Sequence, residues 1–342
     1  ECPPGIDMAK MKIEFLHQYY KKNRRRFFDI LISFLPYYAP FISYLRWLPN
    51  IYSKIWGMSE MIEIIIGISA KRKLPVWNKP FSINNIEQKL PFKINPRKVV
   101  LIADTFSIYF EPENLVSAVR VLNAVGYSVH IAQASDGSRP LCCGRTFLHS
   151  GDLKRARREA TRMLESLLPF VDKGIPIIGL EPSCLLTLRD ETKSLVPGKH
   201  AEIIASKALL LEEFLAQEVK SDAFRSKLAE MPGKTALLHG HCHQKAFSVM
   251  DSVETVLRAI PGLDVKIIES GCCGMAGAFG YEKNHQSVSF AMGEASLFPA
   301  IRKADKNSII VADGTSCRHQ IFDGTGSKAK HVVKVLDEAL IG

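Results

Sequence analysis

Two pairs of adjacent cysteines, Cys142-Cys143 and Cys272-Cys273, are the residues of this 342-residue chain with the clearest chemical potential. Neighbouring cysteines do not readily form a disulfide with each other, because the Cα separation across one peptide is shorter than disulfides prefer. Thiolates are soft ligands that suit iron–sulfur clusters, zinc or copper(I). The glycine after each pair, Gly144 or Gly274, permits a turn that brings backbone N–H groups towards bound sulfur. The pairs therefore predict a metal or cluster site.

Every cysteine beyond residue 100 follows a short apolar run that we predict to be a strand. Cys184, Cys242 and Cys317 each come a few residues after such a run, and both pairs follow one after a loop. The carboxyl ends of parallel strands meet at one edge of a sheet, where ligands bind. Residues far apart in the sequence are therefore expected to converge in one crevice.

The cysteines divide into a set of four and a set of three. The set of four is Cys242, Cys272, Cys273 and Cys317, and four is the usual complement for one cubane cluster. The set of three is Cys142, Cys143 and Cys184, and Asp104-Thr105 stands where the other set has Cys242. The smaller set is either a degenerate remnant or a zinc site completed by His149 or Glu181.

Charged and imidazole side chains accompany both sets. Three histidines flank Cys242: His239, His241 and His243. They are either ligands or proton carriers, or they form hydrogen bonds that orient the cysteine. We favour the orienting role. Arg145, Lys245 and Arg318 each follow a motif cysteine. They either balance cluster charge, bind an anion or form ordinary surface pairs.

The elements that must position these residues alternate along the chain after Pro96. Predicted strands are Val99–Ala103, Ser128–Ala132, Ile175–Leu180, Thr235–Leu238, Val265–Ile268 and Ser308–Ala312. Predicted helices are Pro112–Val125, Asp152–Lys173, His200–Gln217, Ser252–Ile260, His285–Ala304 and Val332–Ile341. The alternation predicts an α/β fold of two similar Rossmann-like lobes with parallel sheets and crossover helices. The two copies, of about 110 residues each, indicate an internal duplication.

An α-helical N-terminal segment is predicted to precede the lobes. Asp7 to Lys22 has amphipathic helical spacing, and helices broken by prolines are expected between about Arg26 and Ile68. Lys73 to Pro96 is predicted to be a linker. The apolar stretch from Phe27 to Trp56 is interrupted by charges and prolines, and it falls short of the about 20 apolar residues of a membrane span. We expect membrane contact to be at most peripheral.

Composition limits the class of protein. Hydrophobic residues make up 46% of the chain, enough for a sizeable core. The net charge is +10, yet no nucleic-acid motif accompanies it, so we interpret it as a solvated basic face and predict no nucleic-acid partner. Clustered cysteines and the lack of a signal-peptide pattern predict a cytoplasmic location, with contact at the periphery of the inner membrane left open.

The motif stretches resemble the cysteine-rich CCG domain, known from heterodisulfide reductase, the iron–sulfur subunit of glycolate oxidase, anaerobic glycerol-3-phosphate dehydrogenase and lactate-utilisation proteins. The likeness covers residues 97–342 and extends to fused FAD-linked oxidases of the D-lactate dehydrogenase type. Its motifs are Tyr109 to Asn114, Leu141 to Thr146, Gly179 to Cys184, Leu238 to Lys245, Ser270 to Gly277 and Asp313 to His319. Cys2-Pro3 looks like the end of a ferredoxin-like segment.

The resemblance implies four parts: the end of a 4Fe-4S ferredoxin-like segment at 1–25, a helical region and linker at 26–96, and CCG repeats at 97–225 and 226–342. It implies the iron–sulfur portion of a flavin-linked 2-hydroxy-acid dehydrogenase of the D-lactate, glycolate or D-2-hydroxyglutarate class. FAD then belongs to an upstream domain or a flavin subunit, and electrons pass to an acceptor.

The resemblance implies a 4Fe-4S cluster on Cys242, Cys272, Cys273 and Cys317, near Gly274, His241 and His243, with Cys2, Cys142, Cys143 and Cys184 as further metal ligands. The sequence departs from the CCG pattern near Thr105, Glu181 and Gly314, where further cysteines are expected. The competing functions are a zinc-binding or metal-poor scaffold that docks partners without redox activity, and a thiol–disulfide reductase.

Overall fold

Two parallel sheets form the centre of the structure. The computed structural model describes residues 7–81 and 97–341. The strands are β1 (Arg97–Ile102), β2 (Tyr127–Ile131), β3 (Ile177–Gly179), β4 (Ala208–Leu210), β5 (Lys234–Leu238), β6 (Leu263–Ile267) and β7 (Ile309–Val311). The first sheet has the order β2-β1-β3-β4 and the second has β6-β5-β7. The second sheet thus repeats the first three positions of the first, with matching parallel pairings. The predicted two-lobed α/β class is confirmed.

Helices surround and connect the strands. Within the N-terminal segment they are α1 (Met8–Lys22), α2 (Phe27–Ser33), α3 (Leu35–Ile42), α4 (Trp47–Ile51) and α5 (Met58–Ile66). In the first lobe they are α6 (Thr105–Tyr109), α7 (Pro112–Ala124), α8 (Arg145–His149), α9 (Leu153–Val171), α10 (Pro182–Arg189), α11 (Glu191–Leu195), α12 (Lys199–Lys207), α13 (Leu211–Glu218) and α14 (Asp222–Arg225). In the second lobe they are α15 (Cys242–Ala246), α16 (Met250–Arg258), α17 (Gln286–Glu294), α18 (Leu297–Arg302), α19 (Thr315–Thr325) and α20 (Val332–Ala339).

Two long predicted helices are interrupted. The prediction over His200–Gln217 missed β4, whose residues Ala208–Leu210 pair in parallel with Ile177–Gly179. Alanine and leucine are compatible with a helix, and sheet pairing overrides that local preference here. The prediction over His285–Ala304 ends at Glu294 and resumes at Leu297, because Ser296 has an extended φ of −157°. The remaining predicted elements lie within a few residues of the observed ones.

Prolines shape the N-terminal segment less than expected. Pro36 lies in the first turn of α3, where its missing N–H costs nothing, and Pro40 lies inside the same helix. The expectation that prolines break the helices is therefore wrong for α3. Asp7 caps α1 by accepting a hydrogen bond from the backbone N–H of Lys10. The predicted linker has neither helix nor strand from Lys73 to Phe81, and the rest of it lies outside the described residues.

One hydrophobic core runs through both lobes. It joins residues of β1, such as Leu101, to residues of β5, such as Leu238, and includes Val335 of α20. A smaller cluster packs Phe28 of α2 against the second lobe through Ile268 and Met275. The N-terminal segment is thereby fixed to the lobes, which positions α1 to α3 against the carboxyl edges of the strands.

Among the described residues, none of the helices alone combines the length and apolar character needed to cross a bilayer. Phe27–Ser33 and Leu35–Leu45 meet the length and composition test only as a pair, bent by 70°.

Candidate metal centre

The structure brings the four cysteines of the second lobe together at the carboxyl edge of its sheet. Cys242 begins α15 just after β5, the Cys272-Cys273 pair follows β6, and Cys317 lies in the first turn of α19 after β7. The Sγ atoms of Cys242 and Cys272 are 3.9 Å apart. The ligand atoms of Cys273, Cys317 and His239 all lie within 4.8 Å of one another. Cys2, the predicted ligand in the ferredoxin-like segment, lies outside the described residues.

A left-handed glycine follows each cysteine pair and holds it in the same way. Gly274 has a φ of +94°, and its backbone N–H donates to the Sγ of Cys272 at 3.4 Å. Gly144 has a φ of +82° and donates to Cys142 at the same distance. A Cβ atom on Gly274 would lie 2.2 Å from the carbonyl oxygen of Ser289. Backbone conformation and close packing therefore both require glycine at residue 274.

Mutual hydrogen bonding divides the four second-lobe thiols: the pKa of Cys272 and of Cys317 is lowered, and the pKa of Cys242 and of Cys273 is raised. Hydrogen bonds from the Cys242 and Cys273 thiols, with the Gly274 N–H, lower the pKa of Cys272 to about 2. The Cys273 thiol, and then His239, lower the pKa of Cys317 despite its burial. The thiolate is the form that binds metal. Two of the four second-lobe thiols, those of Cys272 and Cys317, therefore favour the thiolate form.

The three histidines around Cys242 have different partners. His241 caps α15, because its Nδ1 accepts from the N–H of His243, and its Nε2 lies 3.3 Å from Ser183 Oγ. His239 Nδ1 lies 2.8 Å from Ser270 Oγ, and its buried Nε2 has no protein partner. These contacts support an orienting role for His241. The free Nε2 of His239 suits donation to a sulfur ligand.

The first-lobe cysteines occupy a more acidic environment. Cys142 and Cys143 precede α8, and Cys184 lies in α10. Hydrogen bonding to Cys143 and burial raise the pKa of Cys142. The Cys143 thiol lowers the pKa of Cys184, but burial and nearby Asp104 and Glu181 outweigh it and raise that pKa to about 11. This set favours neutral thiols unless a cation is bound.

Asp104 and Glu181 cap helices at the two first-lobe positions near which the resemblance implied a further cysteine. Asp104 caps α6 by accepting from the N–H groups of Phe106 and Ser107 at 2.9 and 3.0 Å. Burial, with the charge of Glu181, raises the pKa of Asp104 to about 6. Glu181 caps α10 and also accepts from the backbone N–H of Thr315 at 2.9 Å, at the start of the helix that carries Cys317. Glu181 therefore connects the two lobes.

A cavity of about 520 Å³ lies between the two cysteine sets. Its wall includes Cys142, Cys143, Cys184, Cys242, Cys272 and Cys273, together with residues of α1, α2 and α3. His149 and His243 line the same cavity. Burial lowers the pKa of His149 to about 4, so this predicted zinc ligand is a neutral imidazole. All three first-lobe cysteines and three of the four second-lobe cysteines thus line one shared cavity.

Of the three charged residues that follow the cysteines, the two arginines pair with carboxylates, and Lys245 donates to the backbone carbonyl oxygens of Ser270 and Gly271. Arg318 donates from Nε to Glu111 Oε1 at 2.8 Å, and its Nη1 donates to the carbonyl oxygen of Asp313 at 2.7 Å. Arg145 donates to Glu191 at 2.6 Å and lies 2.9 Å from His243 Nε2. Arg318 is therefore a structural cation, and neither the Arg318–Glu111 pair nor its position between the lobes was predicted.

Buried polar groups elsewhere were also missed. Arg72, fully buried, donates to Gly280, Gln320 and Ser289 and so fixes the end of the N-terminal segment to the second lobe. A second group of potential ligands, Glu212, Asp313 and His331, has its atoms within 4.8 Å of one another. No local periodicity signals such pairs, since their members are distant in the sequence.

The cysteine-rich CCG domain family matches residues 236–322, the stretch from β5 to α19 that contains all four clustered cysteines. Residues 236–322 are similar to that domain. The predicted resemblance is therefore confirmed for residues 236–322, and the match together with the gathered thiols indicates iron–sulfur binding.

Curated relatives match over most of the chain. It is 26% identical to a D-2-hydroxyglutarate dehydrogenase of Pseudomonas putida over 350 residues, covering 98% of this chain and 32% of that protein. It is 26% identical to one of the subunits of the anaerobic glycerol-3-phosphate dehydrogenase of Escherichia coli, covering 91% of this chain and 75% of that protein. Lactate utilization protein A of Bacillus licheniformis is 22% identical, over 65% of this chain and 91% of that protein. The chain spans about a third of the length of the D-2-hydroxyglutarate dehydrogenase.

Proposed function

We propose that this chain is the iron–sulfur electron-transfer portion of a flavin-linked 2-hydroxy-acid dehydrogenase, relaying electrons from flavin to an acceptor. The observation that carries the proposal is the convergence of four cysteines from three loops at one sheet edge, with two of them favouring thiolate. Cys242, Cys272, Cys273 and Cys317 are the proposed ligands of a 4Fe-4S cluster.

The surrounding groups suit such a cluster. Bound there, it would supply reversible one-electron transfer. The N–H of Gly274 and the unpartnered Nε2 of His239 offer hydrogen bonds to anionic sulfur, which stabilise charge and tune the reduction potential. His241 fixes the start of α15 and with it Cys242, and His243 is held by Arg145 at the cavity wall.

The substrate class and the flavin belong to a larger assembly in this proposal. Residues 1–25, with Cys2, are proposed as the end of a 4Fe-4S ferredoxin-like segment, and 26–96 as helices and linker before CCG repeats at 97–225 and 226–342. The flavin, FAD, would lie in an upstream domain or in another polypeptide. The proposed substrate is a 2-hydroxy acid of the D-lactate, glycolate or D-2-hydroxyglutarate class, and the names of two relatives mention D-2-hydroxyglutarate and lactate.

Anaerobic metal analysis tests the proposal. The purified chain, reconstituted with iron and sulfide, is expected to hold about four irons from the second-lobe site and to give an electron paramagnetic resonance signal on reduction. Cys272→Ser is expected to abolish that signal. Cys184→Ser, a matched change in the first lobe, is expected to retain it. A chain that binds no iron, or a signal equally sensitive to both changes, would overturn the assignment.

We propose zinc rather than a second cluster for the first lobe. The three thiols lie near two buried carboxylates, Asp104 and Glu181. The negative charge of these carboxylates favours a bound cation over an anionic cluster. Stoichiometric zinc that disappears in Cys184→Ser and persists in Cys272→Ser is the expected result. Zinc with no iron in either variant would instead favour the partner-docking scaffold.

Exposed apolar side chains on the N-terminal segment are proposed to contact the flavin-bearing partner. Tyr44, Trp56 and Ile64 are more than 80% exposed, and Phe41 and Trp47 more than half. A cytoplasmic location with peripheral membrane contact is the accompanying proposal. Co-sedimentation with anionic lipid vesicles, lost on Trp56→Ser, would support the membrane part. Its failure would leave contact with the flavin partner as the use of this surface.

A further inference from the structure

A group of two carboxylates and one imidazole is buried where the two lobes meet. Glu212 belongs to α13 of the first lobe, whereas Asp313 follows β7 and His331 precedes α20 in the second lobe. Their side chains are at most 1% exposed, and one ligand atom from each lies within 4.8 Å of the others. None of the three belongs to the wall of the cavity between the cysteine sets. The group is therefore separate from the candidate metal centre.

The carboxylate of Glu212 is buried without a partner. Neither of its oxygens has a hydrogen bond among the residues that the structure describes. Its Oε1 is 3.9 Å from His331 Nδ1, beyond hydrogen-bonding distance. Glu218, at the other end of the same helix, instead accepts hydrogen bonds from Arg97 and Tyr127. A buried carboxylate that lacks a partner is costly, so Glu212 indicates a bound group that the protein itself does not supply.

Asp313 offers further oxygen lone pairs to the same group. Its Oδ1 accepts from the backbone N–H of Val332 at 3.0 Å, and its Oδ2 accepts from Gln244 Nε2 at 2.8 Å. Both contacts use the oxygens as acceptors, which indicates an ionised carboxylate, and each oxygen keeps a second acceptor site. Asp313 therefore has no proton to donate to Glu212.

His331 does not donate to Glu212 either. Its Nδ1 accepts from the backbone N–H of Val333 at 3.0 Å, so the ring proton is on Nε2, which donates to the carbonyl oxygen of Leu180 at 3.1 Å. The imidazole is therefore neutral. It would become a ligand through Nδ1 only by giving up the hydrogen bond from Val333, so the carboxylate oxygens are the main ligands that the group offers.

The negative charge of the group is uncompensated. Arg318 donates to the backbone carbonyl oxygen of Asp313, but its charge is paired with Glu111. Two carboxylates beside a neutral imidazole match a divalent cation, and carboxylate oxygens suit Mg²⁺, Ca²⁺ or Mn²⁺. Ligand atoms about 2.1–2.5 Å from one ion are at most about 5 Å apart, a condition that separations within 4.8 Å meet. We propose that Glu212 and Asp313 bind an oxygen-preferring divalent cation that joins the two lobes, with His331 beside it.

The position of the ion gives it a structural role. Asp313 leads into α19, which carries Cys317. Gln244, the hydrogen-bond partner of Asp313, lies in α15, which begins with Cys242. The ion would therefore hold α13 of the first lobe to the two segments that carry these proposed cluster ligands. This role adds to the proposed electron-transfer function and does not depend on it.

Manganese(II) is the probe for this site, because it prefers carboxylate oxygens to thiolates and has its own electron paramagnetic resonance signal. The EDTA-treated full chain, dialysed anaerobically against Mn²⁺, is expected to retain about one ion per chain after gel filtration. Glu212→Gln is expected to weaken binding by at least about tenfold and to lose the ion. Glu218→Gln, on the same helix, is the matched control and is expected to bind as the parent does. Circular dichroism verifies that both variants fold.

Thermal unfolding provides the second measurement. Mn²⁺ should raise the Tm of the parent and of Glu218→Gln as its concentration rises, and it should leave the Tm of Glu212→Gln unchanged. No uptake of Mn²⁺ by the parent, or uptake that Glu212→Gln does not alter, would overturn the inference. Uptake abolished by Cys184→Ser would overturn it as well, by assigning the ion to the first-lobe cysteines. Failure to assemble an iron–sulfur cluster would count against the proposed function alone, since no cysteine belongs to this site.

Discussion

Replacing Glu111 with glutamine removes the negative charge from the ion pair that joins the lobes. Glu111 stands directly before α7 in the first lobe, and its carboxylate accepts from Arg318 and from the Thr315 hydroxyl at 2.8 and 2.9 Å. The side chains of Glu111 and Arg318 are only 15% and 7% exposed. Glu111→Gln therefore leaves a guanidinium buried without its counter-charge, next to the proposed ligand Cys317.

The expected loss follows from the pKa of Glu111. Burial alone would raise that pKa, but the charge and hydrogen bonds of Arg318 outweigh it and lower the pKa from 4.5 to about 2. A shift of this size corresponds to about 3 kcal/mol of stability at neutral pH. Because the folded-state pKa is the lower one, the contribution is present above pH 4.5 and is lost as the pH falls towards 2. Removing one partner of a buried pair costs a similar amount, roughly 3–5 kcal/mol.

Urea unfolding of the metal-free protein at pH 7, followed by circular dichroism, measures the effect. The free energy of unfolding of Glu111→Gln should fall by about 3 kcal/mol, and its acid sensitivity between pH 5 and pH 2 should weaken. Glu338→Gln disrupts the exposed pair with Lys330 and should cost less than about 1 kcal/mol. Equal losses in both variants, or a loss for Glu111→Gln below about 1 kcal/mol, would refute the argument that this pair joins the lobes.

Two further substitutions test features of the site and the core. Gly274→Ala should destabilise the fold and impair cluster assembly, since its Cβ would lie 2.2 Å from the carbonyl oxygen of Ser289. Gly326→Ala is the control, because Gly326 has a φ of +73° but open space around it, and it should cost only about 1–2 kcal/mol of stability in thermal unfolding. Equal losses of stability in the two variants would contradict the packing argument. Burial and the charge of Asp313 raise the pKa of Glu212 in the folded protein. The stability of the parent protein therefore falls as the pH rises above the pKa that Glu212 has in the unfolded chain. Glu212→Gln removes this effect and should stabilise the metal-free protein near neutral pH. Unfolding at pH 5 and pH 8 should show this fall only in the parent protein, and a less stable glutamine variant at pH 8 would contradict it.

The sequence was informative wherever local pattern and topology determine position. Apolar runs ending near Ala103, Leu238 and Ala312 correspond to strands β1, β5 and β7. Parallel strands share a carboxyl edge, so the convergence of Cys242 and Cys317 followed from topology alone. The positions of Gly144 and Gly274 were predictable from local sequence, since the turn after each cysteine pair has a positive φ that glycine adopts readily.

The missed features depend on tertiary contacts. β4 is a strand because Ala208–Leu210 lie beside Ile177–Gly179, although their residue types suit a helix equally well. Glu181 was considered as a zinc ligand, but the structure shows one of its oxygens accepting from Thr315, 134 residues away. The pairing of Glu111 with Arg318 likewise joins two lobes, and no spacing rule within either lobe reveals it.

The contact between Glu181 and Thr315 limits how this protein can be dissected. The backbone N–H of Thr315, at the start of α19, has a carboxylate from the opposite lobe as its partner. The shared core joins residues of both sheets, among them Leu101 of β1 and Leu238 of β5. A fragment restricted to residues 226–342 would contain all four clustered cysteines. It would, however, expose that core to water and leave Arg318 without its partner Glu111. A smaller protein that keeps the four clustered cysteines in place therefore requires both lobes.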